Sequence, residues 1–277
     1  MTSLVSLNGQ REKLQVGTLQ CNMKKVAFLN LSLHSFNQER VWEKFFDGGD
    51  KNSFNLYIHS KSKKKCRFSD YYIDKSIPTG WGHFSLVEAT IELIKAALED
   101  EDNEYFSLIS DSHFPLYTLD KTVSLIKERY PKTTFSKHFS FHTKVKSQLT
   151  FRKGLKGYKF DNYNAVCQFF VLRRVDAVKF VETFNDWSKF FVKNEVIFAD
   201  EFYFWGVGKE IGVDFEMGQA TTYSDWSIRK DKLGKVERNP KAFKVFSSAM
   251  LQFYRDKGFL YSRKVMPNTL VITRPFI

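Results

Sequence analysis

The stretch Lys24-Lys25-Val26-Ala27-Phe28-Leu29-Asn30-Leu31 decides the fold class. It is a short apolar run bounded by charged residues, which predicts a buried strand in the middle of a sheet rather than a helix. A helical segment at residues 41–46 and a second apolar strand at residues 54–59 follow it. Two strands separated by a helix indicate a β-α-β unit. We therefore predict an α/β fold with a central, mostly parallel sheet flanked by helices.

The pattern continues with a helix and a third strand. The helix is predicted to begin at Ser85, where Ser85 and Glu88 form a capping box, with its buried face at positions 87, 91, 94 and 98. Residues 105–110 predict another buried strand, which places Asp111 at its carboxyl end. Open α/β sheets bind their ligands at that end of the strands.

The second half of the chain is richer in aromatic residues. Residues 168–172 predict a strand, and residues 175–191 predict one helix that buries Val178, Val181 and Phe184. A further helical segment is expected at residues 202–205. Because composition does not change sharply anywhere, we predict a polar N-terminal extension over residues 1–23 and a single domain over residues 24–277.

The composition indicates a basic, globular protein. The chain has 277 residues, 43% hydrophobic and 17% aromatic, enough to bury a sizeable core. Its 43 Lys+Arg against 31 Asp+Glu give a formal net charge of +12. This charge suits an anionic partner, such as nucleic acid, a membrane surface or a nucleotide substrate, with a solvated basic surface as the alternative.

The cysteines and the N-terminus bear on the compartment. Three scattered cysteines are too few for a disulfide framework, and residues 1–23 lack the apolar core of a signal peptide. No apolar run approaches the roughly 20 residues of a membrane span. We therefore expect a soluble, cytoplasmic or otherwise intracellular protein without an anchor.

Neither a metal site nor a phosphate loop is predicted. His138 and His142 have i, i+4 spacing, but their segment alternates like a strand and no carboxylate lies between them. Asp111 is flanked by Ser110 and Ser112, so one carboxylate stands where two would hold a divalent ion. The basic loop at residues 60–67 has no glycine and is predicted to be a solvated turn. We expect neither metal nor cofactor.

Two adjacent carboxylates are candidates for acid–base chemistry. Asp200 and Glu201 lie within the aromatic and apolar run of residues 198–204. A carboxylate packed against aromatic rings has its charged form desolvated, which suits it to act as a general base. In the alternative interpretation the pair begins a helix, with Asp200 as its cap and Glu201 interacting with the helix dipole.

A second acid lies beside an aromatic platform. Trp226 stands between Asp225 and Ser227, and such an arrangement stacks a sugar ring while polar neighbours bind its hydroxyls; a buried core tryptophan is the alternative. Basic residues that include Arg263 and Lys264 surround an aromatic segment near the C-terminus, which suits a diphosphate. Together these features suggest a carbohydrate-handling site.

Eight segments, in order, resemble one family: the core-2/I-branching β-1,6-N-acetylglucosaminyltransferases with their plant and microbial relatives, which include peptide xylosyltransferases. The segments are residues 25–29 with 41–46, residues 57–60, Gly80-Trp81-Gly82-His83-Phe84-Ser85 continuing to 89, Ser110-Asp111-Ser112-His113-Phe114-Pro115 within 106–117, residues 168–174, Asp200-Glu201-Phe202-Tyr203, Tyr223-Ser224-Asp225-Trp226-Ser227, and Tyr261-Ser262-Arg263-Lys264.

The resemblance implies a GT-A-like nucleotide-sugar fold and an inverting transferase that works without a metal. Glu201 would deprotonate the acceptor hydroxyl, and Lys264 would bind the diphosphate of a UDP-sugar carrying N-acetylglucosamine or xylose. Fixed cations stabilise the charge that develops on the leaving diphosphate. The candidate donor-binding residues are Lys264, Arg263, Lys241, Arg238, Trp81, His59 and Asp111. The candidate acceptor-binding residues are Trp226, Asp225 and Asp200.

The chain departs from the family pattern in two ways. Animal members have a membrane anchor and several disulfides, so compartment and glycan acceptor stay open here. Phe169 stands where the family usually has tryptophan, a change expected to alter only packing. Two other functions compete: a basic nucleic-acid-binding protein, against which the even spread of basic residues argues, and an inactive sugar-binding relative, against which Glu201 argues.

Overall fold

The computed structural model describes residues 24–136, 165–230, 234 and 239–272. Its strands are β1 (Lys25–Ser32), β2 (Phe54–Ser60), β3 (Asn103–Ser110), β4 (Phe114–Pro115), β5 (Thr133–Phe135), β6 (Val171–Arg173), β7 (Phe215–Met217), β8 (Thr222–Ser224), β9 (Phe243–Ser247), β10 (Tyr261–Arg263) and β11 (Val265–Ile272). Its helices are α1 (Glu39–Asp47), α2 (Ser85–Leu98), α3 (Leu119–Arg129), α4 (Arg174–Glu182), α5 (Phe184–Lys193), α6 (Tyr203–Glu210) and α7 (Ser248–Asp256).

A six-stranded sheet in the order β2-β1-β3-β6-β5-β7 forms the centre of the fold. The β2-β1, β1-β3 and β5-β7 pairs are parallel, whereas β6 runs antiparallel to both β3 and β5. The predicted α/β fold with a mostly parallel central sheet is therefore confirmed.

Helices cover both faces of the sheet, which explains why β1 is apolar on both sides. Ala27 and Leu29 point into a core shared with α2, whereas Val26 and Phe28 point into a second core shared with α1 and α3. On the second face, the Phe28 ring packs edge-on against Phe45, with ring centroids 5.8 Å apart. A central strand of a parallel sheet is buried in this way because the crossover helices lie on opposite faces.

Two smaller sheets extend the fold beyond the carboxyl end of β3. β10 pairs antiparallel with β4 and parallel with β8, and β11 pairs parallel with β9. A third core cluster, which includes Phe114, Phe246 and Leu251, packs these strands against α7. The last strands of the chain are thereby held next to the segment that follows β3.

The predicted capping box is wrong. α2 begins at Ser85, but its N-cap is Phe84, and the Ser85 hydroxyl accepts the N–H of Gly80 at 3.0 Å. The preceding turn therefore uses the hydroxyl that the pattern assigned to the helix. The predicted apolar face is confirmed at Val87, Ile91 and Ile94, all fully buried.

The helix predicted at residues 175–191 is two helices, α4 and α5, separated at Thr183. The buried face of α4 consists of Asp176, Ala177 and Phe180, whereas Val178 and Val181 are only partly buried. Asp176 tolerates burial because Thr133 donates a 2.6 Å hydrogen bond to its carboxylate. Val181 and Phe184 nevertheless pack against the same core as Ala177 and Phe180.

Three further predictions concern the strand at residues 168–172, residues outside the described ranges, and membrane-spanning helices. The strand predicted at residues 168–172 is shorter and later, as β6. His138, His142 and the N-terminal extension lie outside the described residues. In the described part of the chain, every helix is too short or too polar to cross a bilayer.

Candidate active site

The carboxyl ends of β1, β2 and β3 lie side by side, because Leu31 is paired with Ser110 and Ser32 with Ser60. Asp111 follows β3 directly, as predicted, and its position is held by the loop after β1. The Leu33 N–H is directed at a carboxylate oxygen of Asp111 at 3.5 Å, and the Asn37 N–H donates to its carbonyl at 2.9 Å. Asp111 therefore lies at the ligand-binding edge of the sheet.

Arg263 and Lys264 reach the same edge from β10. The Val265 N–H donates to the Ser112 carbonyl at 2.8 Å, which joins this segment to the residues next to Asp111. Burial raises the pKa of Asp111, and the charges of Arg263 and Lys264 oppose that rise. Burial and the charge of Arg263 lower the pKa of Lys264, while Asp111 opposes the shift. Two cations and one acid thus share a partly desolvated environment.

The Arg263 guanidinium stacks on an aromatic ring. Its central carbon lies 4.9 Å from the centroid of Phe169, and its Nε is buried. Burial lowers the pKa of Arg263, while the neighbouring Cys167, Asp111 and Asp200 act in the opposite direction. Phe169 therefore contacts a cation as well as its apolar neighbours. Its ring orients a cation that lies within electrostatic reach of two carboxylates.

Glu201 lies on a short turn rather than in the first turn of a helix. Residues Ala199–Glu201 form one 3-10 turn, and the N-cap of α6 is Phe202, so neither Asp200 nor Glu201 occupies the cap position. The Val166 N–H donates to the Glu201 carbonyl at 3.0 Å. This contact ties the turn to the segment that carries Cys167 and Phe169.

Cys167 connects the turn to the basic pair. Burial raises the pKa of its thiol, Arg263 opposes the rise, and Glu201 adds to it. The backbone of Glu201 is bonded to Val166 and the Arg263 guanidinium stacks on Phe169, so both residues contact the segment that carries Cys167. The structure thus brings together five predicted site residues, which are Asp111, Asp200, Glu201, Arg263 and Lys264.

Asp225 and Lys241 border this group. β8 ends at Ser224 opposite Arg263, so Asp225 follows at the same edge. The Lys241 N–H donates to the Asp225 carbonyl at 2.8 Å, and the Ser227 N–H donates to its carboxylate at 2.9 Å. Although burial raises it, the hydrogen bonds from Ser227 and the charge of Lys241 leave the pKa of Asp225 below its ordinary value.

Trp226 follows Asp225 and is partly buried, so it is neither a core residue nor a fully open platform. Lys241 comes two residues before Phe243, whose N–H donates to the Lys264 carbonyl at 2.9 Å. The backbone at Lys241 therefore passes close to that of Lys264. Arg238, another of the candidate donor-binding residues, lies outside the described residues.

Trp81 and His59 are placed differently from each other. The Trp81 side chain is 68% exposed, and its ring contacts Phe198 edge-on with centroids 5.0 Å apart. His59 is fully buried, and its Nε2 accepts the Ile77 N–H at 2.8 Å. Burial lowers the pKa of His59. The imidazole therefore supports the segment that leads to Trp81, while the Trp81 ring is open to a ligand.

Sequence reasoning missed His113, a buried residue that contacts several residues around this site. Its Nδ1 accepts the Ser110 N–H at 3.0 Å, its Nε2 contacts the Thr222 hydroxyl at 3.1 Å, and its ring meets Phe169 at 4.3 Å between centroids. Burial and the charge of Arg263 lower its pKa well below the ordinary value. Only its place two residues after Asp111 could have indicated this role.

The described residues contain no group of three or more His, Cys, Asp or Glu side chains arranged to hold a metal ion. The groups that could neutralise an anionic ligand at this edge are instead Arg263, Lys264 and Lys241. A site of this composition can bind a diphosphate through cations and offers a carboxylate, Glu201, for proton transfer.

Known proteins similar to this chain include proteins named as glycosyltransferases. The chain resembles the rice (Oryza sativa subsp. japonica) protein Glycosyltransferase BC10, with 29% identity over 124 residues. That alignment covers 42% of this chain and only 31% of the rice protein, so the chain spans less than a third of that relative's length. Among solved structures, the apo form of mouse xyloside xylosyltransferase 1 aligns over 72% of this chain and 76% of its own, at 11% identity and a TM-score of 0.36.

The family model for the core-2/I-branching enzyme matches residues 26–254. The match includes Asp111, Glu201 and Asp225, while Arg263 and Lys264 lie beyond its end. The matched residues include almost all of the central sheet, and the α/β architecture around that sheet agrees with the predicted fold class. Since the matched segment is most of the sequence, the chain belongs to the core-2/I-branching enzyme family of glycosyltransferases.

Proposed function

We propose that the protein is an inverting glycosyltransferase that moves a sugar from a UDP-sugar to a hydroxyl of a glycan acceptor. One observation supports this most strongly. The turn that bears Glu201 and the residue Arg263 contact the same short segment, because the Val166 N–H donates to the Glu201 carbonyl and the Phe169 ring stacks on the Arg263 guanidinium. A base and a diphosphate-neutralising group are the two parts that such a transfer needs.

In this proposal Glu201 takes the proton from the acceptor hydroxyl. The acceptor oxygen then forms a bond to the anomeric carbon while the bond from that carbon to the diphosphate oxygen breaks. Attack opposite the leaving group inverts the anomeric centre. A positioned general base contributes about a hundredfold or more to such a step.

Lys264 and Arg263 stabilise the departing UDP. Both are partly buried beside Asp111, and the Phe169 ring holds Arg263 in place. Because these charges are already oriented, they need not reorganise as negative charge develops on the diphosphate. Asp111 and Trp81 border the donor, and Asp225 and Trp226 border the acceptor. N-acetylglucosamine and xylose are the donor sugars proposed.

We further propose that transfer needs no metal ion. Asp111 is a single carboxylate at the end of β3, next to two cations that can take over the neutralising role. A hard divalent ion would find one protein carboxylate there, whereas metal-dependent sites usually surround the ion with several oxygen ligands.

A UDP-release assay tests the class, the donor and the metal together. The protein is incubated with a panel of UDP-sugars and glycan acceptors, with and without EDTA, and with Glu201→Gln as the matched control. We expect acceptor-dependent UDP release with one donor, unchanged by EDTA and lost in the variant. Release that requires Mn²⁺ would make Asp111 a metal ligand. Equal activity of Glu201→Gln would remove Glu201 as the base.

A further inference from the structure

Phe198, the residue before the Glu201 turn, has an unusual backbone conformation. Its φ and ψ are 55° and 39°, in the left-handed region. A bulky side chain seldom adopts this conformation, because its Cβ crowds the following carbonyl oxygen. Such conformations persist only where the surrounding structure holds them, and they concentrate at functional sites.

The Gly80–His83 turn provides the contacts that hold Phe198. The Phe198 N–H donates to the Gly82 carbonyl at 2.8 Å. Gly82 has a φ of +73°, and a Cβ added there would lie 3.2 Å from the Phe198 ring. The ring also meets Trp81 edge-on. Glycine at position 82 therefore allows the close approach of the Phe198 ring.

Phe198 is in turn bonded to the backbone of Glu201. Its carbonyl accepts the Glu201 N–H at 3.0 Å and closes the 3-10 turn. Ala199, between them, is fully buried in the core next to α2. On the far side, the Val166 N–H holds the Glu201 carbonyl. The direction of the Glu201 side chain thus depends on two fixed points, and Phe198 is one of them.

We propose that Phe198 is a positioning residue for Glu201: its packing on Gly82 and Trp81 fixes the turn that aims the carboxylate at the acceptor. The inference rests on the proposed function, in which Glu201 is the general base. A misplacement of about 1 Å can cost on the order of a hundredfold in rate. We therefore expect Phe198→Ala to lower kcat roughly ten- to a hundredfold.

The test compares three variants by acceptor-dependent kcat, by UDP affinity in calorimetry and by thermal melting. Phe198→Ala and Phe198→Gly both remove the ring, and glycine also relieves the left-handed backbone. We expect kcat to fall in both variants, while the UDP affinity of each stays within about threefold of wild type. The glycine variant should melt at a higher temperature than the alanine variant. Should the alanine variant fail to fold, the glycine variant carries the comparison.

Glu195→Gly is the matched control. Glu195 is exposed and also has a left-handed backbone, with a φ of 50°, but its N–H bonds to Val192 rather than to the Gly82 turn. It should keep wild-type kcat. If Glu195→Gly loses as much activity as Phe198→Gly, or if Phe198→Ala loses UDP affinity in parallel with kcat, Phe198 has a general structural role and the proposal fails.

A double-mutant cycle shows whether Phe198 acts through Glu201. Glu201→Asp keeps a carboxylate but shortens its side chain by one methylene, and we expect it to retain measurable activity. If Phe198 only positions that carboxylate, adding Phe198→Ala to Glu201→Asp should change kcat less than about threefold, whereas independent effects would multiply. If the two losses in kcat multiply, the inference about Phe198 is wrong, but the proposed function still stands. Wild-type activity of Glu201→Gln would instead overturn the proposed function beneath it.

Discussion

Acidification should destabilise the protein through His113, and replacing this residue should reduce that sensitivity. The Ser110 N–H can only donate, so the Nδ1 that accepts it carries no proton, and Nε2–H donates to Thr222. Protonation of the ring would break the bond to Ser110 and place a second positive charge near Arg263. The folded protein therefore keeps this imidazole neutral.

The size of the effect follows from the direction of the pKa shift. The folded pKa of His113 is lowered, so the unfolded chain takes up the proton first, at about pH 6.5. The stabilising contribution is fully present above that pH and is lost as the pH falls. For one such group the free energy of unfolding should drop by about 2 kcal/mol between about pH 7.5 and pH 5. His59, whose pKa is also lowered, adds a loss of the same sign.

Urea unfolding of wild type and His113→Asn at several pH values measures this contribution. Asparagine can still accept the Ser110 N–H, but it loses the Thr222 bond and leaves a cavity, so it should cost about 2–3 kcal/mol near pH 7.5. The difference in the free energy of unfolding between wild type and His113→Asn should be smaller by about 2 kcal/mol near pH 5. Ser112→Ala, which removes a neighbouring hydroxyl and no titratable group, should cost a constant amount. A constant difference for His113→Asn as well would refute the reasoning.

The other variants address the transfer itself. Glu201→Gln should lower turnover about a hundredfold or more while UDP affinity stays near wild type, as compared by initial rates and calorimetry; loss of UDP binding would point to a folding defect instead. Lys264→Ala should weaken UDP binding and lower kcat, and unchanged affinity in calorimetry would remove Lys264 from the site. Phe169→Leu should raise the KM for the donor several-fold, since Arg263 loses a stacking partner commonly worth about 0.5–1 kcal/mol. Phe169→Trp keeps an aromatic ring at this position and should leave the KM for the donor near the wild-type value.

Hydrophobic patterning was sufficient to predict the elements from β1 to β3, but α3 was not predicted. β1, β2, α2 and β3 all form close to the predicted positions, because a buried strand or helix face needs a local run or period of apolar residues. The predictions were wrong where a polar side chain is bonded to a partner that the apolar pattern does not record. Asp176 lies in the core because Thr133 bonds to it, and the Ser85 hydroxyl belongs to the turn at Gly80.

The candidate site shows the same division. Asp111 could be assigned to the binding edge from sequence, since its place depends only on where β3 ends. Phe169 could not be assigned a role, because its contact with Arg263 joins two distant parts of the chain. The conformation of Phe198 was equally hidden, because it depends on the facing Gly82.

The sequence by itself determined the chemistry available to this protein: a general-base candidate in Glu201, a basic pair near the C-terminus and an α/β frame with a strand ending at Asp111. Only the tertiary structure decided that the basic pair lies next to Asp111. Parallel pairing of β10 with β8, and the bond from Val265 to Ser112, bring the C-terminal cations to Asp111. Local patterns encode which face of an element is buried, whereas such meetings depend on contacts between segments far apart in the chain, which no local period records.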